Sequence, residues 1–172
     1  AHALSEPARH PFAAHVQAIP ITVDEFALAQ RYYPIVFGTG ENAAPLALVG
    51  LREGQNLFCD AEGNWADSAY VPAYIRRYPF LLARLTPDAK ELSLCFDDSS
   101  GYITEQAEGN LFKDDKPTDV TQSVLKFCEQ FEIAIQRTRM FMNELNEMKL
   151  LQQGEAQIQP GGPNTAPAMT FR

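Results

Sequence analysis

The sequence predicts an α+β fold: a mainly antiparallel sheet of about five to seven strands made of several hairpins, with a short N-terminal helix and one long amphipathic C-terminal helix packed on it. Three observations carry this. Short apolar runs between residues 33 and 113 alternate with clusters of Gly, Asp, Asn and Pro, which is the pattern of strands joined by tight turns. Thr22 followed three residues later by Glu25 marks a helix start. From Val120 to Met148 apolar residues recur at alternating spacings of four and three, with neither Gly nor Pro between them.

Residues 1–20 are punctuated by Pro7, Pro11 and Pro20 and read as an irregular arm. In ITVDEFALAQRYYP, Thr22 and Glu25 form a capping box, and Ile21 with Phe26 a hydrophobic staple. The helix is expected over residues 23–32 and is closed by Pro34. Strands are expected at 33–37, 45–51 and 56–60, with GTGENAA and the turn REGQ between them. Such short connections favour an antiparallel meander, because a parallel pair needs a long crossover. DAEGN (60–64) is a further turn, leading to Trp65. FLLARL (80–85) and ELSLCFD (91–97) flank TPDAK as a second hairpin, and SGYITE (100–105) and NLFK (110–113) flank QAEG as a third.

The long helix is expected to begin at Thr118 or Asp119. Its stripe reads Val120, Val124, Phe127, Phe131, Ala134, Thr138, Phe141, Leu145 and Met148, widened by Leu125, Cys128, Ile135 and Met142. Such a helix is roughly 45 Å long, as long as a compact domain of this size is wide. It therefore spans the sheet or projects from it, and a projecting apolar end needs a partner. That partner is expected to be another protein or a second copy, met through Phe127, Phe131, Phe141 and Leu145, or a further C-terminal segment of the same chain. Residues 152–168 are rich in Gln, Gly and Pro and read as linker. The organisation is thus an arm (1–20), an α+β domain (21–151), and a linker or truncated tail (152–172).

Composition excludes several classes. The 172 residues are 45% hydrophobic, enough for a core without disulfides. A net charge of −8 disfavours nucleic acid and anionic membrane surfaces. Cys59, Cys95 and Cys128 are odd in number and show no CxxC, so a disulfide framework or zinc site is not expected. No apolar run reaches the roughly 18 residues of a membrane span. The N-terminus shows no secretory signal pattern, although its first residue is not Met, so the expected location is the cytoplasm, with envelope association as the further possibility. His2, His10 and His15 lack metal-ligand spacing, and FCDAEGN and CFDDSSGY miss the register of a calcium loop. GTGEN is not a phosphate loop, and no GxSxG occurs. No catalytic residue, metal or cofactor is expected, and the balance leans away from an enzyme.

One segment keeps a binding hypothesis open. YVPAYIRRYPF (70–80) holds the adjacent pair Arg76-Arg77 in a chain where positive charge is scarce. Pro72 opens and Pro79 closes a short helical turn. The arginines either offset that helix C-terminus, pair with Asp97 or Asp98, or grip a carboxylate or phosphate beside Tyr70, Tyr74 and Trp65. Trp65 and the tyrosines would serve a sugar ligand only as exposed, coplanar faces.

YPIVF (33–37), PLALVGLREGQNLF (45–58), Trp65, YVPAYIRRYPFLLA (70–83), LCFDDSSG (94–101) and EGNLF (108–112) together resemble the SapC family of bacterial proteins, over roughly residues 20–151. Typical members continue beyond the long helix, so the resemblance implies a C-terminally truncated chain. It also implies an accessory role in surface-layer formation or export. Similar proteins are considered alongside outer-membrane uptake systems, halogenase-like flavoproteins and cupin-type hydroxylases. The rival expectation is accordingly an enzyme or enzyme partner in a peptide- or amino-acid-modifying cluster, binding a carboxylate through Arg76 or Arg77. The resemblance supplies no catalytic residues.

Overall fold

The computed structural model describes residues 3–4, 9–38, 43–105, 110–152, 156–158 and 169–171. In chain order the strands are β1 (Ala3–Leu4), β2 (Ala18–Pro20), β3 (Ile35–Phe37), β4 (Pro45–Leu48), β5 (Phe80–Ala83), β6 (Ser93–Phe96), β7 (Ile103–Thr104), β8 (Phe112–Lys113), β9 (Lys116–Pro117), β10 (Ala156–Ile158) and β11 (Met169–Phe171). The α-helices are α1 (Phe26–Ala29), α2 (Ala73–Arg76) and α3 (Asp119–Glu147). Every pairing among them is antiparallel, so the predicted α+β class holds, as several small sheets rather than one. No described helix is long and apolar enough to cross a membrane. The chain divides into two compact units, Arg9–Tyr74 with Ile135–Arg172 and Ala1–Ala8 with Ile75–Ala134. The breaks after Tyr74 and Ala134 fall inside the stretch read as a single domain, and the break after Ala8 falls inside the arm.

The unit containing Arg9–Tyr74 is built on a three-stranded sheet in the order β2-β4-β3. The β3–β4 hairpin is the one predicted, with Val36 opposite Leu46. The other neighbour of β4 is β2, from the stretch read as an irregular arm, with Ile19 opposite Ala47. Ile19 and Ala47 are fully buried, which fixes this register, since a one-residue slip would turn both outward. The run 56–60, expected as the third strand, is not part of the β2-β4-β3 sheet: it makes a Cys59–Trp65 bridge, with Ala66 N–H donating to the Phe58 carbonyl, and one bond toward the strand it was expected to join, Leu57 N–H to the Val49 carbonyl. The reason is Asn56. Its N–H and its Nδ2 donate to Ala14 and Ala13 carbonyls at 3.1 and 2.9 Å, and its Oδ1 accepts from Phe58 N–H at 2.8 Å. Those bonds tie the run to the 3-10 turn Pro11–His15 instead of to a sheet.

The predicted helix start is present. Thr22 N–H and Oγ1 donate to Glu25 Oε2 at 2.8 and 2.9 Å. The helix itself is shorter than 23–32: a 3-10 turn, Val23–Glu25, runs into α1, and turns follow before Pro34. Phe26 meets Phe37 and Phe141 edge-on, with ring centroids 6.3 and 5.8 Å apart. Thr138, in the C-terminal half of α3, accepts from Val23 N–H at 2.9 Å and so caps this helix start from outside. An exposed ion pair, Arg137 to Asp24 at 3.2 Å, lies beside it.

In the unit containing Ile75–Ala134, β5 and β6 form the predicted hairpin, with Phe80 opposite Phe96 and Leu82 opposite Leu94. Phe80, Leu111 and Cys128 are its buried centre, flanked by Leu82, Leu94, Ile103 and Val124. The third hairpin is paired differently from the expectation. Strand β7 lies against β1, and β8 turns back through Asp114 and Asp115 onto β9. Both aspartates have positive φ, 49° and 59°, the pattern of a type I′ turn.

Helix α3 begins at Asp119, as predicted. Thr118 Oγ1 donates to the Asn110 carbonyl at 2.9 Å, and Thr121 Oγ1 donates to the Leu111 carbonyl. The stripe is buried in its middle but rotated at its ends. Thr121, Cys128, Phe131, Ala134, Thr138 and Met142 are buried, whereas Val120 is 43% exposed and Met148, beyond the helix, 65% exposed. The helix stops in a Schellman motif: Lys149 has φ 54°, Lys149 N–H donates to Asn146 O and Leu150 N–H to Leu145 O. Beyond it, in the stretch read as linker, β10 pairs with β11, Gln157 opposite Thr170. The QAEG turn, most of GTGEN, His2 and most of the C-terminal tail lie outside the described residues.

Candidate functional site

The stretch from Cys59 to Phe80 carries all the residues singled out for binding, and it is shaped by its turns. DAEGN folds as a tight turn closed by its first side chain: Asn64 N–H and Nδ2 donate to Asp60 Oδ1 and Oδ2 at 2.8 and 2.9 Å. These bonds from Asn64 hold the Asp60 carboxyl below its usual range. Gly63 has φ 86°, and a Cβ there would lie 2.4 Å from Pro11 N, so only glycine fits where the turn meets residues 10–11. The turn delivers Trp65 with its indole pointing inward, its Nε1 donating to Tyr33 Oη at 3.2 Å. Tyr33 Oη in turn donates to the Tyr70 carbonyl. Tyr33 is buried, and its ring stands edge-on to Phe58 with centroids 4.7 Å apart. Burial pushes its phenol up to about 12, with the Trp65 bond opposing the shift.

Tyr70 Oη donates to Glu25 Oε1 at 2.9 Å, and the Ala73 N–H donates to the same oxygen at 2.7 Å. Together with the two bonds from Thr22, one buried carboxylate gathers four donors from two segments 45 or more residues apart. Ala73 opens α2 directly after Pro72, so Glu25 caps both its own helix start and this one. The spacing Thr22–Glu25 points to the first role. Nothing local points to the second, and Glu25 was not among the expected site residues.

Helix α2 ends at Arg76, and the Tyr78–Pro79 peptide is cis. Phe80 N–H donates to the Arg77 carbonyl at 2.8 Å, completing the turn into β5. The Arg76 guanidinium lies over the Phe127 ring, 5.2 Å from its centroid, and that of Arg77 over Phe131 at 4.9 Å. The two rings are one helical turn apart on α3, so adjacent arginines meet adjacent rings. A guanidinium over a ring gains cation–π attraction. Buried Cys128 beside them has its thiol pushed up by burial, with the Arg77 charge opposing. Asp97, one of the acids considered as an arginine partner, accepts from Ser99 N–H and Oγ at 3.0 and 2.7 Å and from Tyr78 Oη at 2.9 Å. The Ser99 hydroxyl and then Tyr78 hold its carboxyl down, while burial and that bond raise Tyr78.

The expected residues therefore fall into two groups. Trp65 and Tyr70 meet around Tyr33 in one unit, and Arg76 and Arg77 sit on the α3 rings in the other. Tyr74, on α2, is 38% exposed. The Tyr32–Tyr33, Tyr33–Phe58 and Tyr78–Tyr102 ring pairs are tilted or edge-on, not the coplanar faces a sugar requires. Among the described residues no group of three His, Cys, Asp or Glu side chains is placed to hold a metal ion.

No curated protein and no solved structure matches the chain. Comparison with protein families does give a match, to SapC over residues 2–170. It takes in the Trp65–Tyr70 network and the Arg76-Arg77 segment described above, and extends well beyond the 20–151 span that the motifs alone carry. With nearly the whole chain covered, the protein belongs to the SapC family.

Proposed function

We propose that the chain is a non-enzymatic accessory or binding protein of a bacterial surface-layer or envelope-associated system, and that α3 carries its partner surface. The observation that supports this is the outward side of the helix. Ile133 and Met140, two turns apart, are 44% and 64% exposed, and Leu150 just past its end is 62% exposed. The sequence points instead to Phe127, Phe131, Phe141 and Leu145. Of these Phe127 and Phe131 lie under arginines and Phe141 packs on Phe26, so the outward residues are the better candidates. The test is affinity capture from the native host with the full chain and with an Ile133→Glu/Met140→Glu variant, alongside light scattering of both. A partner or a second copy held by the wild type and lost by the folded variant is the expected result. Equal capture by both would sink the proposal.

A second reading is supported by the arginine geometry. Arg76 and Arg77 are held over rings with Tyr74 nearby in sequence, an arrangement suited to gripping a carboxylate of a peptide or amino acid. Titration with a short acidic peptide, against Arg76→Ala and Arg77→Ala, tests it: binding unchanged in both variants rejects the site.

A further inference from the structure

We draw no further inference here: the strongest candidate, the outward face of the β5–β6 hairpin around Leu81 and Cys95, carries nothing because nothing in the structure shows what covers it.

Discussion

At the scale of single residues, Glu25 and His10 carry the clearest consequences. Glu25 is 5% exposed and accepts from Thr22 N–H, Thr22 Oγ1, Tyr70 Oη and Ala73 N–H. Replacing it by Gln keeps the shape but puts an NH2 group where donors converge, leaving buried donors facing a donor. The expected loss is about 2–3 kcal/mol in denaturant unfolding, since bonds to a charged acceptor are strong and buried unmet donors are costly. Thr22→Val should cost less, because it removes one donor and leaves the carboxylate its other three. His10 is buried, and burial lowers its pKa below the ordinary 6.5. The folded state therefore takes up its proton less readily than the unfolded state. Its contribution is fully present above pH 6.5 and is lost as pH falls through the lowered value. The denaturation midpoint should fall as pH drops below about 6.5, and His10→Gln should flatten that drop. Identical pH slopes in the two proteins would contradict the assignment.

At the scale of elements, two turns hold residues that their backbones do not favour. Lys149 occupies the left-handed C′ position of the Schellman motif closing α3, at φ 54°. A side chain there costs on the order of 1 kcal/mol that glycine does not. Lys149→Gly should therefore stabilise the chain by up to about 1 kcal/mol, read as a raised denaturation midpoint. Asp115→Gly in the β8–β9 turn should act in the same direction but more weakly, because Asp tolerates this conformation better than Lys. What was legible in the sequence follows the same division between local and distant. The Thr22–Glu25 box, the β3–β4 and β5–β6 hairpins, the DAEGN turn and the start of α3 all depend on residues a few positions apart, and their side chains announce them. The place of β2 beside β4 depends on pairing between strands of unremarkable composition whose partners, such as Ile19 and Ala47, are far apart in sequence, and Asn56 ties the run 56–60 elsewhere. Thr138 counted as one apolar-spaced position in a stripe. Its hydroxyl instead finishes a helix start 115 residues away, which no period can reveal. The aromatic seats of Arg76 and Arg77 on Phe127 and Phe131 were hidden for the same reason, although each of the four residues was noted by itself.

At the scale of the whole molecule, charge separates the two proposed functions. The chain carries −8, so a partner that shares its sign is repelled everywhere except where fixed arginines meet it. Recognition of a carboxylate through Arg76 and Arg77 is a charge–charge interaction, and salt screens it once the Debye length shrinks to a few ångströms. Association through Ile133 and Met140 buries apolar surface, which salt does not weaken. Affinity for a captured partner, measured from about 0.05 to 0.5 M salt, is therefore expected to hold steady or rise for the α3 reading. It should collapse on Ile133→Glu/Met140→Glu and survive Arg76→Ala. The opposite pattern, binding that fades with salt and fails with Arg76→Ala or Arg77→Ala, would transfer the function to the arginine segment. Arg77→Ala also removes a cation–π contact worth about 0.5–2 kcal/mol, so its unfolding midpoint must be measured beside its binding. Arg76 is the more exposed of the two, and its contact with Phe127 is lost in Arg76→Ala, so the unfolding midpoint of that variant is measured as well.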